Sequence, residues 1–351
     1  MLPADAYTSA DVLAWERRYL FGGTWTCLGR ASELFDGVRQ VGATAGDIPV
    51  LLVGGDPVRA FANTCRHRGH ELLADGRSSD RAVVVCPYHA WVYGLDGRLR
   101  GAPGFRDVAG FRPAEHGLVE LPACTWQGWV FVNGTGDAAP FERYVGAMAA
   151  LVEPYAAETL REVAVHDYDV LANWKVIVEN YHECYHCPHI HPELCAVSPP
   201  ASGHNYDLPG AWVGGAMDLR EHADTMSMDG RSNGAFLPGA QRRRVLYLSM
   251  LPNLLLSLQP DYVMTHLLTP AAAGRTRVRC SWYAPAGAGD LGPAIRFWDL
   301  TNRQDWAACE SVQRGLGSPH YRPGPFAPTE DAVHQWVGII GRAYRGSRPG
   351  D

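Results

Sequence analysis

No apolar run in this chain approaches the roughly 18 residues needed to span a bilayer. Positive charge is not in excess either: 31 Lys and Arg stand against 37 Asp and Glu, for a formal net charge of −6. A membrane-spanning helix is not expected, nor a general attraction to nucleic acid or anionic lipid. The start, Met1-Leu2-Pro3-Ala4-Asp5-Ala6, lacks a basic stretch followed by an apolar core. No secretory leader is read there, and a cytoplasmic location is expected. No internal repeat is evident. Nine cysteines are an odd number, which argues for free thiols and metal ligands rather than a disulfide framework.

What is present is enough for two domains: 351 residues, 46% hydrophobic and 19% charged. Thirty-eight Gly and 25 Pro imply many turns. The segment Asp11–Phe21 has helical apolar spacing and ends at Gly22-Gly23. Between Trp25 and Asn133, short apolar stretches alternate with turn signals, as in a small all-β domain. Phe141–Leu160 is Ala-rich and helical, a domain junction. The second half reads as α+β: an alternating strand over 162–170, a helical segment over 173–186, strands at 245–251, 254–258, 262–268 and 277–283, and a final helix over 291–316. The stretch 198–231, rich in Gly, Ser, Asp and His, reads as a long loop, a candidate lid.

Two clusters carry the chemistry. The first is Cys65-Arg66-His67 followed by Cys86-Pro87-Tyr88-His89, a C-x-H … C-x-x-H pattern. Two thiolates and two imidazoles on two short loops are the ligand set of a Rieske [2Fe–2S] centre, with Cys65 and Cys86 on one iron and His67 and His89 on the other. Such a centre passes single electrons. The second is Glu179–His191, with four His in ten residues. Glu183 and His186 stand at i, i+3 and Pro188 bends or ends the helix, so that His191 folds back toward His186. Two His and one carboxylate make the facial triad of non-haem Fe(II) oxygen chemistry. Asp305 in the final helix is the favoured carboxylate, Glu310 the lesser one. His182-Glu183-Cys184-Tyr185-His186 is also a literal H-E-x-x-H, the zinc protease signature. A protease would have no use for the first cluster, and that reading is set aside.

Together these segments resemble the catalytic α subunits of the Rieske non-haem iron oxygenases over nearly the whole length. Cys86-Pro87-Tyr88-His89-Ala90-Trp91-Val92-Tyr93 followed by Asp96-Gly97-Arg98-Leu99 is similar to the family's CPYHGW-x-Y…DG-x-L, with Ala90 where Gly is usual. Asn173-Trp174-Lys175, Glu183-x-x-His186-x₄-His191 and Gln304-Asp305…Gln313-Arg314-Gly315-Leu316 match further motifs. The resemblance implies an N-terminal helical segment (1–35) on the catalytic domain, a Rieske domain (36–145), and a helix-grip catalytic domain with an antiparallel sheet (146–351). It implies that His186, His191 and Asp305 hold Fe(II) and that Glu183 bridges neighbouring subunits' cofactors in a homotrimer; Asn180 is expected near the iron, behind its ligands. The chain has no dinucleotide fingerprint, so NAD(P)H electrons are expected through a separate flavin- or iron–sulfur-containing reductase, with O₂ as co-substrate.

For the substrate, Glu183 and the Gln-Arg-Gly-Leu ending look most like the branch that oxidises small quaternary ammonium compounds such as glycine betaine, carnitine or stachydrine. N-demethylation by a monooxygenase is the leading expectation. Hydroxylation, O-demethylation or cis-dihydroxylation of an aromatic or alicyclic compound is the alternative. A Rieske electron carrier without oxygenase activity would not need the His186/His191/Asp305 triad. Trp212, Tyr247, Tyr262, Trp282, Tyr283, Trp298 and Trp306 are candidate aromatics for a cationic substrate. His182 and His189 are expected to be outer-shell or exposed, and Cys184 and Cys187 to be small buried residues.

Overall fold

The computed structural model describes residues 1–350. The chain divides into two compact units, Glu16–Phe141 and the combination of Met1–Trp15 with Glu142–Asp351. Residues 16–35 therefore lie in the first unit, where the resemblance had grouped them with the N-terminal segment. The reason is strand pairing: Thr26–Arg30 pairs with Trp129–Val132 in an antiparallel ladder. The helix expected over 11–21 is α-helical from Ala10 to Glu16 and widens to a π turn over Arg17–Phe21. Among the described residues, no helix is long and apolar enough to cross a membrane.

The smaller unit is mainly β, in three antiparallel sheets. Its long strand Ile48–Val53 shows why two cores form. Side chains alternate between faces, so Val50 and Leu52 join Val41, Ala60 and Val132 in one core. Leu51 and Val53 join Phe61, Trp91 and Tyr93 in the other, which also encloses Cys65 and Cys86.

The larger unit is built on one seven-stranded antiparallel sheet. Its strands are β1 (Arg161–Val170), β2 (His204–Asn205), β3 (Trp212–Asp218), β4 (Arg244–Met250), β5 (Leu254–Leu258), β6 (Val263–Ala272) and β7 (Arg275–Ala284). Their order is β1-β7-β6-β5-β4-β3-β2. Three helices matter for the site: α1 (Trp174–Tyr181), α2 (Cys187–Ile190) and the 25-residue α3 (Gly292–Leu316). Phe297 and Trp298 of α3 pack on Tyr262, Met264 and Trp282 of the sheet. A further helix, α4 (Asp331–Ala343), was not foreseen; it packs Trp336 against Trp174 of α1, with ring centroids 5.4 Å apart.

The expected loop over 198–231 is corrected here, because it contains β2 and β3. Strand β3 reads Trp-Val-Gly-Gly-Ala-Met-Asp, and glycine weakens any strand pattern. Its glycines answer a steric demand. A Cβ on Gly214 would lie 2.2 Å from the Tyr247 carbonyl oxygen, and one on Gly215 would lie 2.0 Å from that of His204.

Candidate active site

In the smaller unit, the four Rieske-pattern residues sit on two facing turns. Cys65 follows the strand Arg59–Ala62, and Cys86–His89 lies between Val83–Val85 and Val92–Gly94. Both thiols are buried. The Tyr93 hydroxyl accepts the Arg66 N–H at 3.0 Å, which leaves its own hydrogen for the Cys65 sulfur at 3.2 Å. His67 and His89 stand edge to face with centroids 4.6 Å apart, and His67 lies flat on Trp91 at 4.9 Å. His67 Nδ1 is buried without a hydrogen-bond partner. A thiol pair facing an imidazole pair, with one orphaned ring nitrogen between aromatic walls, fits a two-iron cluster and satisfies no ordinary polar network. Ala90 takes φ 56°, the left-handed conformation that glycine adopts without penalty.

In the larger unit, the residues Asn173-Trp174-Lys175 have a structural purpose. The Asn173 side chain accepts the Lys175 N–H at 3.0 Å and caps α1. Its amide group also donates to the Tyr7 and Ala273 carbonyls, at 3.1 and 2.7 Å, fixing the chain's first residues to this helix. Lys175 lies over the Tyr7 and Trp174 rings. Glu179, one turn on, is buried and accepts the Tyr7 hydroxyl at 2.7 Å; burial pushes its carboxyl up to about 7.

Helix α1 ends at Tyr181, five residues earlier than the 173–186 helix expected. Glu183 and His186 therefore meet in a turn, not on a shared helix face. Glu183 organises that turn: one carboxylate oxygen accepts the backbone N–H of Tyr185 at 2.5 Å and of His186 at 3.2 Å, and the other pairs with His186 Nδ1. Pro188 does not terminate a helix but sits in the first turn of α2, where its missing N–H is harmless. Cys184 and Cys187 are disulfide-bonded, correcting their reading as free thiols. A C-x-x-C turn with Cα atoms 4.9 Å apart brings both sulfurs within bonding reach.

At the end of this turn His186, His191 and Asp305 converge, their ligand atoms all within 4.8 Å of one another. The two Nε2 atoms are 3.1 Å apart, and His191 Nε2 is 2.9 Å from Asp305 Oδ1. Behind them, His191 Nδ1 meets the Gln304 amide oxygen at 2.7 Å. Each ring thus gives its Nδ1 hydrogen to an oxygen and turns Nε2 toward the shared point. Burial lowers the His186 imidazole, but Asp305 and Glu183 outweigh it and hold the ring at about 9. Burial raises the Asp305 carboxyl, yet the two imidazoles hold it below the carboxylate range. The trio stabilises a positive charge at its centre, and a divalent cation supplies one. The donor set fits Fe(II).

The neighbouring residues separate clearly. His189 is exposed, and His182 is buried with Nε2 2.5 Å from the Ser249 hydroxyl. Burial drives His182 down to about 3. Glu310 accepts the Leu171 N–H at 3.1 Å instead of reaching the trio. Asn180 lines the cavity in front of the trio.

That cavity measures about 670 Å³. Helix α3 faces it with Trp298, Thr301, Asn302, Asp305 and Trp306, the i, i+3, i+4, i+7, i+8 stripe of one helical face. The sheet contributes Met217, Tyr247 and His266. Of the aromatic candidates, Tyr247, Trp298 and Trp306 line it, whereas Trp212, Tyr262, Trp282 and Tyr283 belong to the buried interior. Gln304 and His266 escaped the sequence reading. Gln304 could have been found as the neighbour of Asp305, and His266 as the one ionisable side chain of its strand.

Two family models match the chain, one in each unit. The family model "Ring hydroxylating alpha subunit (catalytic domain)" matches residues 157–346, and "Rieske [2Fe-2S] domain" matches residues 24–112. The glycine betaine monooxygenase oxygenase subunit of Pseudomonas aeruginosa is 29% identical over 93% of this chain and 85% of its own length. The carnitine monooxygenase oxygenase subunit of Escherichia coli K12 is 37% identical over 54% of this chain and 52% of its own. The crystal structure of the quaternary ammonium Rieske monooxygenase CntA with gamma-butyrobetaine superposes with a TM-score of 0.77 at 25% identity, covering 97% of this chain and 94% of that one. Naphthalene 1,2-dioxygenase from Rhodococcus sp. shares the fold, with a TM-score of 0.76 at 17% identity over 98% and 93% of the two chains.

Proposed function

We propose, for a chain that belongs to the ring-hydroxylating alpha-subunit family and carries its Rieske [2Fe–2S] domain, a monooxygenase that N-demethylates a small quaternary ammonium compound. The enzyme is the oxygenase component of a Rieske system and works with a separate reductase. When bound, the cluster supplies single electrons and the mononuclear Fe(II) supplies O₂ activation. Cys65, Cys86, His67 and His89 would hold the first; His186, His191 and Asp305 would hold the second.

The observation that carries the substrate class is the wall of the cavity. The rings of Tyr181 and Tyr247 are 6.0 Å apart, and those of Tyr247 and Trp298 are 6.2 Å apart. Three contiguous ring systems beside a metal site suit a cation without hydrogen-bond donors. The named activities of the glycine betaine, carnitine and CntA relatives point the same way. Within this chain, Tyr181 is fixed by donating to the Leu256 carbonyl at 2.8 Å, and Trp298 by donating to the Tyr262 hydroxyl at 2.6 Å. The apolar wall excludes water from the N-methyl carbon. Hydroxylation of that carbon gives a hemiaminal, which collapses to formaldehyde and the demethylated amine.

Glu183 is proposed to link this site to the cluster of a neighbouring copy in a closed homotrimer. Its support is the His186 Nδ1 contact at the start of such a path and the exposed Tyr185 two residues on. A cytoplasmic, NAD(P)H-fed reductase completes the proposed system.

The test is substrate-dependent oxygen uptake with a surrogate reductase, read beside formaldehyde release and the particle mass in solution. One formaldehyde per oxygen consumed, from a methylammonium compound, is expected. Phenol or cis-diol products from an aromatic substrate would replace this reading with the alternative.

A further inference from the structure

We propose that Trp306 and Tyr168 form a two-step electron relay, which drains to solvent an oxidising equivalent that the iron site has not spent on substrate. The relay gives the chain a second, protective activity, and it rests on the reading of His186, His191 and Asp305 as Fe(II) ligands.

The first observation is position. Trp306 directly follows Asp305 on α3 and lines the cavity. Its ring lies edge-on to that of Tyr168 on β1, with centroids 5.9 Å apart. Beyond Tyr168 stand Asp299, its side chain 26% exposed, and His166, 37% exposed. One helix–strand contact therefore leads from the metal site to solvent.

The second observation is where protons can go. A ring that loses an electron becomes a strong acid, so the radical settles beside a proton acceptor. Trp306 Nε1 is a donor only, and it is buried without a partner. Its cation radical keeps its proton and passes the charge on. The Tyr168 hydroxyl donates to Asp299 Oδ1 at 2.7 Å, and His166 Nδ1 lies 3.2 Å from the same oxygen. Burial holds the Tyr168 hydroxyl above the ordinary tyrosine value, so the proton stays until the electron leaves. Burial also raises the Asp299 carboxyl, but the hydrogen bonds from Arg303 and Tyr168 outweigh it and hold the group below the carboxylate range. An ionised acceptor is thus already in place. Arg303 lies over the Tyr168 ring at 5.9 Å, and a cation there opposes positive charge on that ring. Electron and proton leave Tyr168 together.

The third observation is a contrast. The other Trp–Tyr pair beside the cavity is Trp298 and Tyr262. There the Tyr262 hydroxyl accepts the Trp298 N–H at 2.6 Å and donates to the Met226 carbonyl at 2.5 Å. A backbone carbonyl does not keep a proton, and Tyr262 is fully buried. That pair builds the wall and leads nowhere.

The balance closes with hydrogen peroxide as the oxidant and a small one-electron reductant in solution. Trp306 gives one electron to the metal site and becomes a cation radical. Tyr168 refills it and becomes a neutral tyrosyl radical, its proton now on Asp299. The reductant returns a hydrogen atom to Tyr168, and Asp299 releases its proton for the reduction of peroxide. With ascorbic acid as reductant, two such passages turn one hydrogen peroxide and one ascorbic acid into two waters and one dehydroascorbic acid.

The experiment adds hydrogen peroxide to the iron-replete enzyme, with its cluster oxidised and no organic substrate present. Freeze-quench electron paramagnetic resonance reads the radical, and peptide mass mapping reads oxygen added to Trp306. The wild type should give a tyrosyl signal that ascorbate removes. In Tyr168→Phe the signal should be lost and Trp306 oxidation should rise severalfold. Trp306→Phe, which cuts the path upstream, should lose the tyrosyl signal too. Asp299→Asn keeps a hydrogen-bonding oxygen but is no base, so its signal should fall severalfold; it carries the test if Tyr168→Phe does not fold. A tyrosyl signal that survives in either ring variant overturns the relay, as does unchanged Trp306 oxidation in Tyr168→Phe or a full signal in Asp299→Asn. Iron analysis separates the two readings. A wild type that binds only the cluster's iron fails the Fe(II) reading, and the relay falls with it; a wild type with the mononuclear iron in place and no radical overturns the relay alone.

Discussion

His191 turns one ring nitrogen to the Gln304 amide oxygen at 2.7 Å and the other to Asp305 at 2.9 Å. Consecutive residues of one helix thus supply a candidate metal ligand and the group that orients its neighbour. Gln304 fixes the tautomer in which Nε2 presents a lone pair. Loss of such an outer partner costs typically 10–100-fold in metal affinity. Gln304→Leu should weaken Fe(II) binding by roughly that factor while the cluster's visible spectrum is unchanged; Gln304→Glu should retain affinity. Anaerobic Fe(II) titration of the metal-stripped protein measures it, and an unaltered Gln304→Leu isotherm would remove the role.

His186 has a charged partner where His191 has a neutral one. Glu183 also holds two backbone N–H groups, so its carboxylate shapes the turn as well as the ring. Glu183→Gln preserves size and an acceptor oxygen. It should keep about three irons per chain but slow electron transfer from cluster to iron by ten- to a hundredfold. Single-turnover oxidation of the reduced cluster, with substrate and O₂ present, reads the rate directly. Near-normal transfer would eliminate the bridge.

Ala90 occupies a left-handed position between Cys86 and Trp91, donating its N–H to the Cys86 carbonyl at 3.1 Å. An L-residue pays about 1 kcal/mol or more for that conformation. Ala90→Gly should therefore be neutral or stabilising by up to about 1 kcal/mol, since glycine also gains freedom in the unfolded chain. Denaturant melts followed by the cluster's visible bands provide the measurement; a loss of stability would mean that the Ala90 methyl makes a contact worth more than its strain.

Much of this architecture is legible in the sequence because the signals are local. Leu254–Leu258 is a strand as expected, and the last long helix begins within one residue of its expected start. The ligand spacings are equally local. What escaped depends on neighbours far along the chain. The glycines of β3 are required by the backbones of β2 and β4, so the strand keeps a single β-branched residue, Val213, and no alternating pattern of its own. Helix α1 stops at Tyr181 because Glu183 satisfies the next turn's N–H groups with its side chain, a competition that helical periodicity does not register. His266 finds its hydrogen-bond partner, Asn302, on a different element.

Acid sensitivity follows from the imidazoles that burial keeps neutral. His182 and His266 are driven to about 3 and about 4, whereas an unfolded chain titrates them near 6.5. Below about pH 6.5 the unfolded state takes up two protons that the folded state refuses, so their stabilisation is present above that pH and lost on acidification. Glu179 acts in the opposite sense. Its folded carboxyl sits at about 7, so the folded state holds an extra proton between about 4.5 and 7, and that contribution fades as pH rises through this window. One net proton is thus left to favour unfolding between about pH 4.5 and 6.5, a slope of about 1.4 kcal/mol per pH unit. Below about 4.5 the opposing term is gone and the slope steepens. His182→Gln keeps a hydrogen-bonding group for Ser249 and removes one of the two titrations, so its stability should change little over pH 4.5–6.5. Chemical denaturation of both proteins across pH 4–8, at constant iron loading, makes the comparison; parallel curves would show that His182 is not held neutral in the folded state.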